Sequence, residues 1–289
     1  MKKVILLLVL CLTIGTTAQD KKQDGYFGPS DYSENSRPFI QLDYGISFFR
    51  HKKFPPEFNY PGIGEIKVGY THLSEHKSKT IMEMRDNFLF AGNQSTDLSI
   101  KTVNGLKVKP EGWRFGVGFK DALGYRINNF YILPYTQMSL FWTNAKIKLP
   151  DIVQYSNDPV ITKSVNDIAG RYNGDFKFGT IAEGGIDFRF GSMVSIIPSF
   201  ETGVIFPKHL VWKQMGSFMM EEMGVVAIDY FVEEVVSSSP IAAPIVNFLL
   251  KNGFTYAFYQ LKRDKMNWPF ESEAPLTYES FKIGLKFSF

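Results

Sequence analysis

From residue 39 onward, apolar and polar side chains alternate with a period of two, the repeat of an extended strand whose two faces meet different surroundings. In segment 39–49, Ile40, Leu42, Tyr44, Ile46 and Phe48 share one face, and Gln41, Asp43, Gly45 and Ser47 the other. Segment 63–72 sets Ile66, Val68 and Tyr70 against Glu65, Lys67, Gly69 and Thr71. Segment 113–125 sets Trp113, Phe115, Val117 and Phe119 against Arg114, Gly116, Gly118 and Lys120. In 175–190 the polar face carries Lys177, Glu183, Asp187 and Arg189, and in 194–206 it carries Ser199, Glu201 and Gly203. The last segment, 278–289, places Phe281, Ile283, Leu285, Phe287 and Phe289 opposite Lys282, Gly284, Lys286 and Ser288. Segment 130–142 is also strand-like but contains Pro134, and 80–90 fits a helix as well as a strand.

The connections decide how many strands there are. Tight turns at 126–129 and 191–193 alternate with a long polar loop over 143–174 and a longer connection after Phe206. Membrane barrels show this alternation, with the short turns periplasmic. Counting back from a periplasmic C-terminus requires one more upward strand before Trp113. Segment 80–90 supplies it, after a turn near 72–79. The expected fold is all-β: an eight-stranded antiparallel transmembrane β-barrel with a helical insertion, 207–276, in the last extracellular loop.

Within that insertion, 217–236 carries Phe218, Met219, Met223, Val226, Tyr230 and Phe231 at helical spacing. Ser239-Pro240 reads as the start of a second helix and Asn252-Gly253 as its stop. Segment 254–261 reads as a strand above the membrane. Neither helix is expected to span a bilayer, because the first carries acids and the second is short and contains Pro244. The pair is expected to cap the barrel mouth or to offer a docking surface to a protein partner or lipid. That surface would comprise Met219, Met223, Tyr230, Phe231, Phe248 and Leu249.

Composition supports a membrane barrel over a soluble one. The chain has 289 residues, 16% of them aromatic, and a mean hydropathy of −0.11. A barrel meets lipid with every second residue only, so its average hydropathy resembles that of a soluble protein. Glycines and charges on the polar face suit the cramped interior of eight strands. The apolar face would aggregate in water. Residues 1–18 read as a secretory signal peptide: Lys2 and Lys3, an apolar run over 4–12, and Thr16 and Ala18 before the cleavage point. A lipoprotein signal at Cys11 is disfavoured, because Leu10 is too large for the position before a lipidated cysteine. Segment 19–38 reads as a flexible periplasmic leader. Cys11 is the only cysteine, so the exported chain would form no disulfide and no thiolate metal site. Without Lys2 and Lys3 the chain has 30 basic and 29 acidic residues, a balance that implies no nucleic-acid partner.

The alternating final strand that ends in Phe289 is similar to the assembly signal of bacterial outer-membrane proteins. The chain resembles the small barrels of the OmpA, OmpX and PorT-like type, the last of these typical of Bacteroidota. The resemblance covers 39–206 and 278–289 in pattern only. It implies an outer-membrane location, contact with outer-membrane lipid, and recognition of the last strand by the barrel assembly machinery.

On the polar face, Asp43, Lys67, Lys120, Glu183, Glu201 and Lys282 are expected at mid-membrane height as a charge network. Asp43, Glu201 and Lys282 would form part of an internal salt-bridge set, with Lys286 as a further partner across the seam. Eight strands leave an interior filled by side chains, which favours a plugged barrel over a small-solute channel. The function expected is that of a non-enzymatic structural or binding component of the envelope, with no cofactor. The alternative is a lipid hydrolase or acyltransferase using His209 with Ser217, but no Gly-x-Ser-x-Gly elbow is present. His72 and His76 could hold a metal only with further ligands.

Overall fold

Eight antiparallel strands form, each paired to the next in sequence, and the first pairs with the last to close a barrel. The structure, a computed structural model, describes residues 36–75, 81–101, 104–150 and 159–289. The expected signal peptide, most of the leader, His76 and much of the 72–79 turn lie outside the described residues. The strands are β1 (Ser36–Arg50), β2 (Gly62–Glu75), β3 (Ile81–Ser95), β4 (Lys109–Ile127), β5 (Phe130–Lys148), β6 (Lys177–Phe190), β7 (Val194–Ile205) and β8 (Leu276–Ser288). Residues 81–90 of the ambiguous segment lie in β3, where tertiary pairing with β2 and β4 decides between helix and strand. The leader ends earlier than expected, since Ser36 and Arg37 already pair with His72 and Thr71.

The seam runs from Phe39↔Ser288 to Arg50↔Thr277. The short turns lie at one end of the barrel with the C-terminus. Asn128, with φ 57°, opens the two-residue β4–β5 turn, and Gly191, with φ 63°, opens the β6–β7 turn. Asn and Gly are the residues that enter this left-handed region at least cost. The two turns join through Gly191 N–H donating to the Asn129 carbonyl at 2.8 Å.

The loop end is closed by a helix in the stretch expected to be a polar loop. This helix, α1 (Pro159–Tyr172), buries Val165, Ile168, Ala169 and Tyr172. They join Phe49, Phe54, Phe58, Ile147, Ile205 and Leu276 in one apolar plug. Ile161, Val165, Ile168 and Tyr172 recur at four, three and four residues, the spacing of one helical face. Asn173 ties the helix down, accepting from Ile147 N–H at 2.7 Å and donating to the Ile147 carbonyl at 3.3 Å.

The β7–β8 connection holds two helices, α2 (Val211–Ser238) and α3 (Ala243–Lys262). They do not cap the mouth. Helix α3 lies against the outer wall of β4–β7, the face opposite the charged interior, and α2 packs on α3. At the loop end, Tyr259 of α3 and Met266 just beyond it pack on Val204 and Phe206. At the turn end, Val232, Val236 and Ala243 pack on Ile81 and Leu123, and Tyr125 Oη donates to the Ile241 carbonyl. The hairpin therefore runs the height of the wall.

Three helix-boundary expectations are corrected. Residues 239–242 form a turn, with Ala242 N–H bonded to the Ser239 carbonyl at 3.0 Å, and α3 begins after it. Asn252-Gly253 does not stop α3. The Asn252 amide is satisfied within the helix by the Phe248 carbonyl at 2.9 Å and on the wall by the Tyr135 carbonyl at 3.2 Å. Residues 254–261 are helical, because Phe254 and Phe258 pack on each other at 5.7 Å and Phe254 fills the space over Gly224 of α2. A Cβ at Gly224 would stand 2.1 Å from the Phe254 ring, so the close helix approach requires glycine there.

Candidate functional site: the charged barrel interior

Strand alternation sends one side chain in two into the lumen. Among the described residues these include six acids, Asp43, Glu65, Asp86, Glu183, Asp187 and Glu201, and six bases, Lys67, Arg114, Lys120, Arg189, Lys282 and Lys286. All twelve are buried, and their formal charges cancel. Two linked groups result. In the first, Lys67 bonds Asp43 at 3.3 Å and Glu183 at 3.3 Å. Lys282 reaches Glu183 at 2.6 Å and Glu65 at 3.3 Å, and also pairs with Glu201. Arg114 bridges Glu65 and Glu201 and donates to Tyr278 Oη at 2.6 Å. In the second, Asp86 takes Lys286 at 2.6 Å and Lys120 at 3.7 Å. Arg189 pairs with Asp187 at 3.4 Å.

The six interior residues named from sequence all line this lumen, in two groups rather than one. Asp43, Lys67, Glu183, Glu201 and Lys282 belong to the first group. Lys120 belongs to the second, nearer the turns, and stacks over the Tyr135 ring at 4.3 Å. Lys282 meets Glu201 directly, whereas Asp43 is linked to them through Lys67 and Glu183. Lys286 turns to Asp86 and Asp187 instead of Asp43 or Glu201. Sequence reading left Glu65, Arg114, Asp86, Asp187 and Arg189 out of the network. Except for Asp86, in the ambiguous 80–90 segment, their alternation is visible in the sequence, but strand tilt shifts each strand's height against its neighbour, so counting from the turns does not give depth.

Aromatic groups and neutral amides fill the remaining space. Tyr135 Oη donates to Glu183 at 2.6 Å, and Gln41 Nε2 to Asp43 at 2.7 Å. Gly203 makes room for the Tyr278 ring, whose nearest atom would lie 2.1 Å from a Cβ there. Fixed ion pairs and packed rings leave these charges to hold one another.

The fold is similar to that of Neisserial surface protein A. That likeness has a TM-score of 0.39 at 7% identity and covers 89% of this chain and 100% of the other. The attachment invasion locus protein Ail of Yersinia pestis is also similar. Its TM-score is 0.32 at 8% identity, over 88% of this chain and 99% of the other. Ail in complex with the heparin analogue sucrose octasulfate gives 0.33 at the same identity and coverage. No family model and no curated protein matches the sequence.

Outside the lumen, an open cleft of about 640 Å³ lies at the loop end, lined by Arg50, His51, Lys52, Phe58 and Arg263 among others. Lys52 is paired with Asp264 at 2.9 Å. Burial lowers the His51 pKa to about 4, with Arg171 and Lys53 adding to the effect and a bond to the Ala274 backbone opposing it. His209 rests on the Phe178 ring at 6.3 Å. The Ser217 hydroxyl is buried without a hydrogen-bond partner, so the two do not form a nucleophile–base pair. No cluster of metal-binding side chains occurs among the described residues.

The residues named as a partner surface lie on the outward side of the hairpin. Met219, Met223, Tyr230, Phe231 and Leu249 are exposed, and Phe248 is half-buried. Sequence reading missed the opposite, inward side. There Lys251 bonds Asp229 at 2.6 Å and the wall residue Asp121 at 2.8 Å, and Lys262 pairs with Glu221.

Proposed function

We propose that the protein is a bacterial outer-membrane barrel with a non-conducting lumen, acting as a non-enzymatic structural or binding component of the envelope. The observation that carries this reading is inverted polarity. Twelve charges are buried inside, while the outer wall of β8, β1, β2 and β3 exposes Ile40, Leu42, Val68, Leu89, Phe281 and Ile283. In water such a wall would be an aggregating surface, and in lipid it is solvated. From Ile40 to Phe48 the outward apolar run covers about 27 Å of strand, or about 20 Å of height at a 40° tilt. That is close to the apolar band of about 25 Å expected of membrane barrels.

The ion pairing supports a closed lumen. Opening a water path would separate ion pairs that now satisfy one another, and α1 with its aromatic plug covers the loop end. A small-solute channel fits less well. Lipid contact would be made through the apolar band, and the assembly machinery would recognise β8 with its terminal Phe289. The PorT-like, Bacteroidota affinity belongs to the same proposal and rests on the strand pattern.

Planar-bilayer recording from the pure full-length protein tests it. Stable reconstitution without channel steps is expected. Large, persistent conductance would overturn the closed-lumen reading.

A further inference from the structure

We infer that the α2–α3 hairpin is an intramembrane element whose outer face is covered by lipid acyl chains, so that helices clad half of a β-barrel within the bilayer. This rests on the membrane reading proposed above and extends it to a part of the chain that hydropathy does not place in a membrane. No helix among the described residues is long and apolar enough by hydropathy to cross one.

Length comes first. At 1.5 Å per residue, the 28 residues of α2 extend about 42 Å and the 20 of α3 about 30 Å, against a hydrocarbon core of about 30 Å. The contacts with Phe206 at the loop end and Leu123 at the turn end show that this length runs along the wall and not above the rim.

Polarity comes second. Four charges of α2 and α3, Glu221, Asp229, Lys251 and Lys262, are buried on the inward side, whereas Glu222 is half-buried and Lys213, Glu233 and Glu234 lie near the helix ends, Lys213 and Glu234 exposed. Asp229, Lys251 and the wall residue Asp121 form one buried ion-pair set, and Glu221 with Lys262 forms another. Thr255 and Asn247 are buried on the same side. The outward face carries Met219, Met223, Tyr230, Phe231, Ile245 and Leu249, each 56–72% exposed. The distribution is that of a membrane helix, with polar groups toward protein and apolar groups away from it. Helices also satisfy their own backbone, the condition for lying in lipid.

Continuity names the occupant. Tyr256 of α3 packs on the outward Phe200 of β7 at 6.1 Å, and Phe200 packs on Phe281 of β8 at 5.0 Å. The outer face of the hairpin thus joins the exposed apolar wall, which in a bilayer is covered by acyl chains. Polar features gather at the two ends. Lys213 bonds the Glu271 carbonyl at 2.6 Å at the loop end, and Ser237 and Ser238 bond carbonyls of their own helix at 3.0 Å at the turn end.

Site-directed spin labelling of the full chain in phosphatidylcholine vesicles tests this, with Cys11→Ser as background. Single cysteines at Met223, Tyr230 and Leu249 report the hairpin, Ile283 the bare wall, and Lys52 the loop end. The readout is collision with oxygen, which concentrates in lipid, against a water-soluble nickel complex. The hairpin and wall labels should favour oxygen several-fold, and the Lys52 label should favour nickel. Hairpin labels that favour nickel while Ile283 favours oxygen would overturn the inference and leave the membrane barrel standing. Nickel preference at Ile283 as well would overturn both. Hairpin labels shielded from both reagents would mean that a second copy or a protein partner covers the face, and would overturn lipid as the occupant.

Discussion

Glu183 is the most densely contacted acid of the lumen. It takes Lys282 at 2.6 Å, Lys67 at 3.3 Å and the Tyr135 hydroxyl at 2.6 Å. Taking an ion out of water is costly, and removing one partner leaves the other uncompensated. Glu183→Gln keeps the shape but leaves the interior with one excess positive charge. It should lower unfolding stability by about 3–5 kcal/mol, the usual cost of breaking a buried pair. Adding Lys67→Met restores neutrality, with Asp43 still held by Gln41 at 2.7 Å, and should recover part of the loss. Urea midpoints, read from the gel mobility of unboiled samples, measure both. Equal stability of wild type and Glu183→Gln would mean that water reaches the network. That these residues face inward was legible from period-two alternation alone. Beyond Lys282 with Glu201, which of them touch was not, because pairing across the lumen depends on tilt and stagger, which no single strand encodes.

At the scale of elements, the strands were more legible than the helices, for a physical reason. A strand whose two faces meet lipid and a packed interior must alternate strictly. The helices meet three surroundings at once: the wall, each other and the outside. Their polarity pattern therefore blurs, and local stop signals such as Asn252-Gly253 are overridden by bonds to the wall. The closing helix α1 shows another kind of dependence. His51 packs edge-on to Phe54 at 6.4 Å and to Tyr172 of α1 at 6.2 Å. Burial holds its pKa at about 4, below the ordinary 6.5, with Arg171 and Lys53 reinforcing the neutral form. A histidine kept neutral by folding contributes fully above pH 6.5 and loses that contribution as pH falls toward 4. Because the ring keeps part of its surface in water, the loss should be only about 1–2 kcal/mol. Amide exchange in α1, corrected for intrinsic rates, should quicken between pH 6.5 and 4 in the wild type and stay level in His51→Phe. Quickening of the same size in the variant would assign the effect to another group.

For the whole molecule, closure and cladding are separable. All eight strand pairings, including the β1–β8 seam, are made within the barrel, and β7 already pairs with β8 at Ile205↔Leu276 next to the long connection. The helices depend on the wall, since Lys251 and Asn252 find partners at Asp121 and Tyr135. Among the described residues, the helices cover the apolar wall residues Ile81, Leu123, Met138 and Val204, accept from the Tyr125 hydroxyl and pair Asp121. Replacing residues 208–273 with a short glycine-containing turn should therefore leave a closed barrel. Uncovered apolar side chains cost little in lipid. An outward Asp121, left with Arg85 at 3.9 Å, costs about 1–3 kcal/mol at most, since acids on the lipid face are less destabilising than bases. The trimmed chain should keep the faster gel migration of an unboiled barrel in detergent and in vesicles, with a lowered melting temperature. Asp121→Asn in the same chain should raise that temperature part of the way back. If the trimmed chain never reaches the compact form, the hairpin is required for closure itself, and strand pairing alone does not account for the barrel.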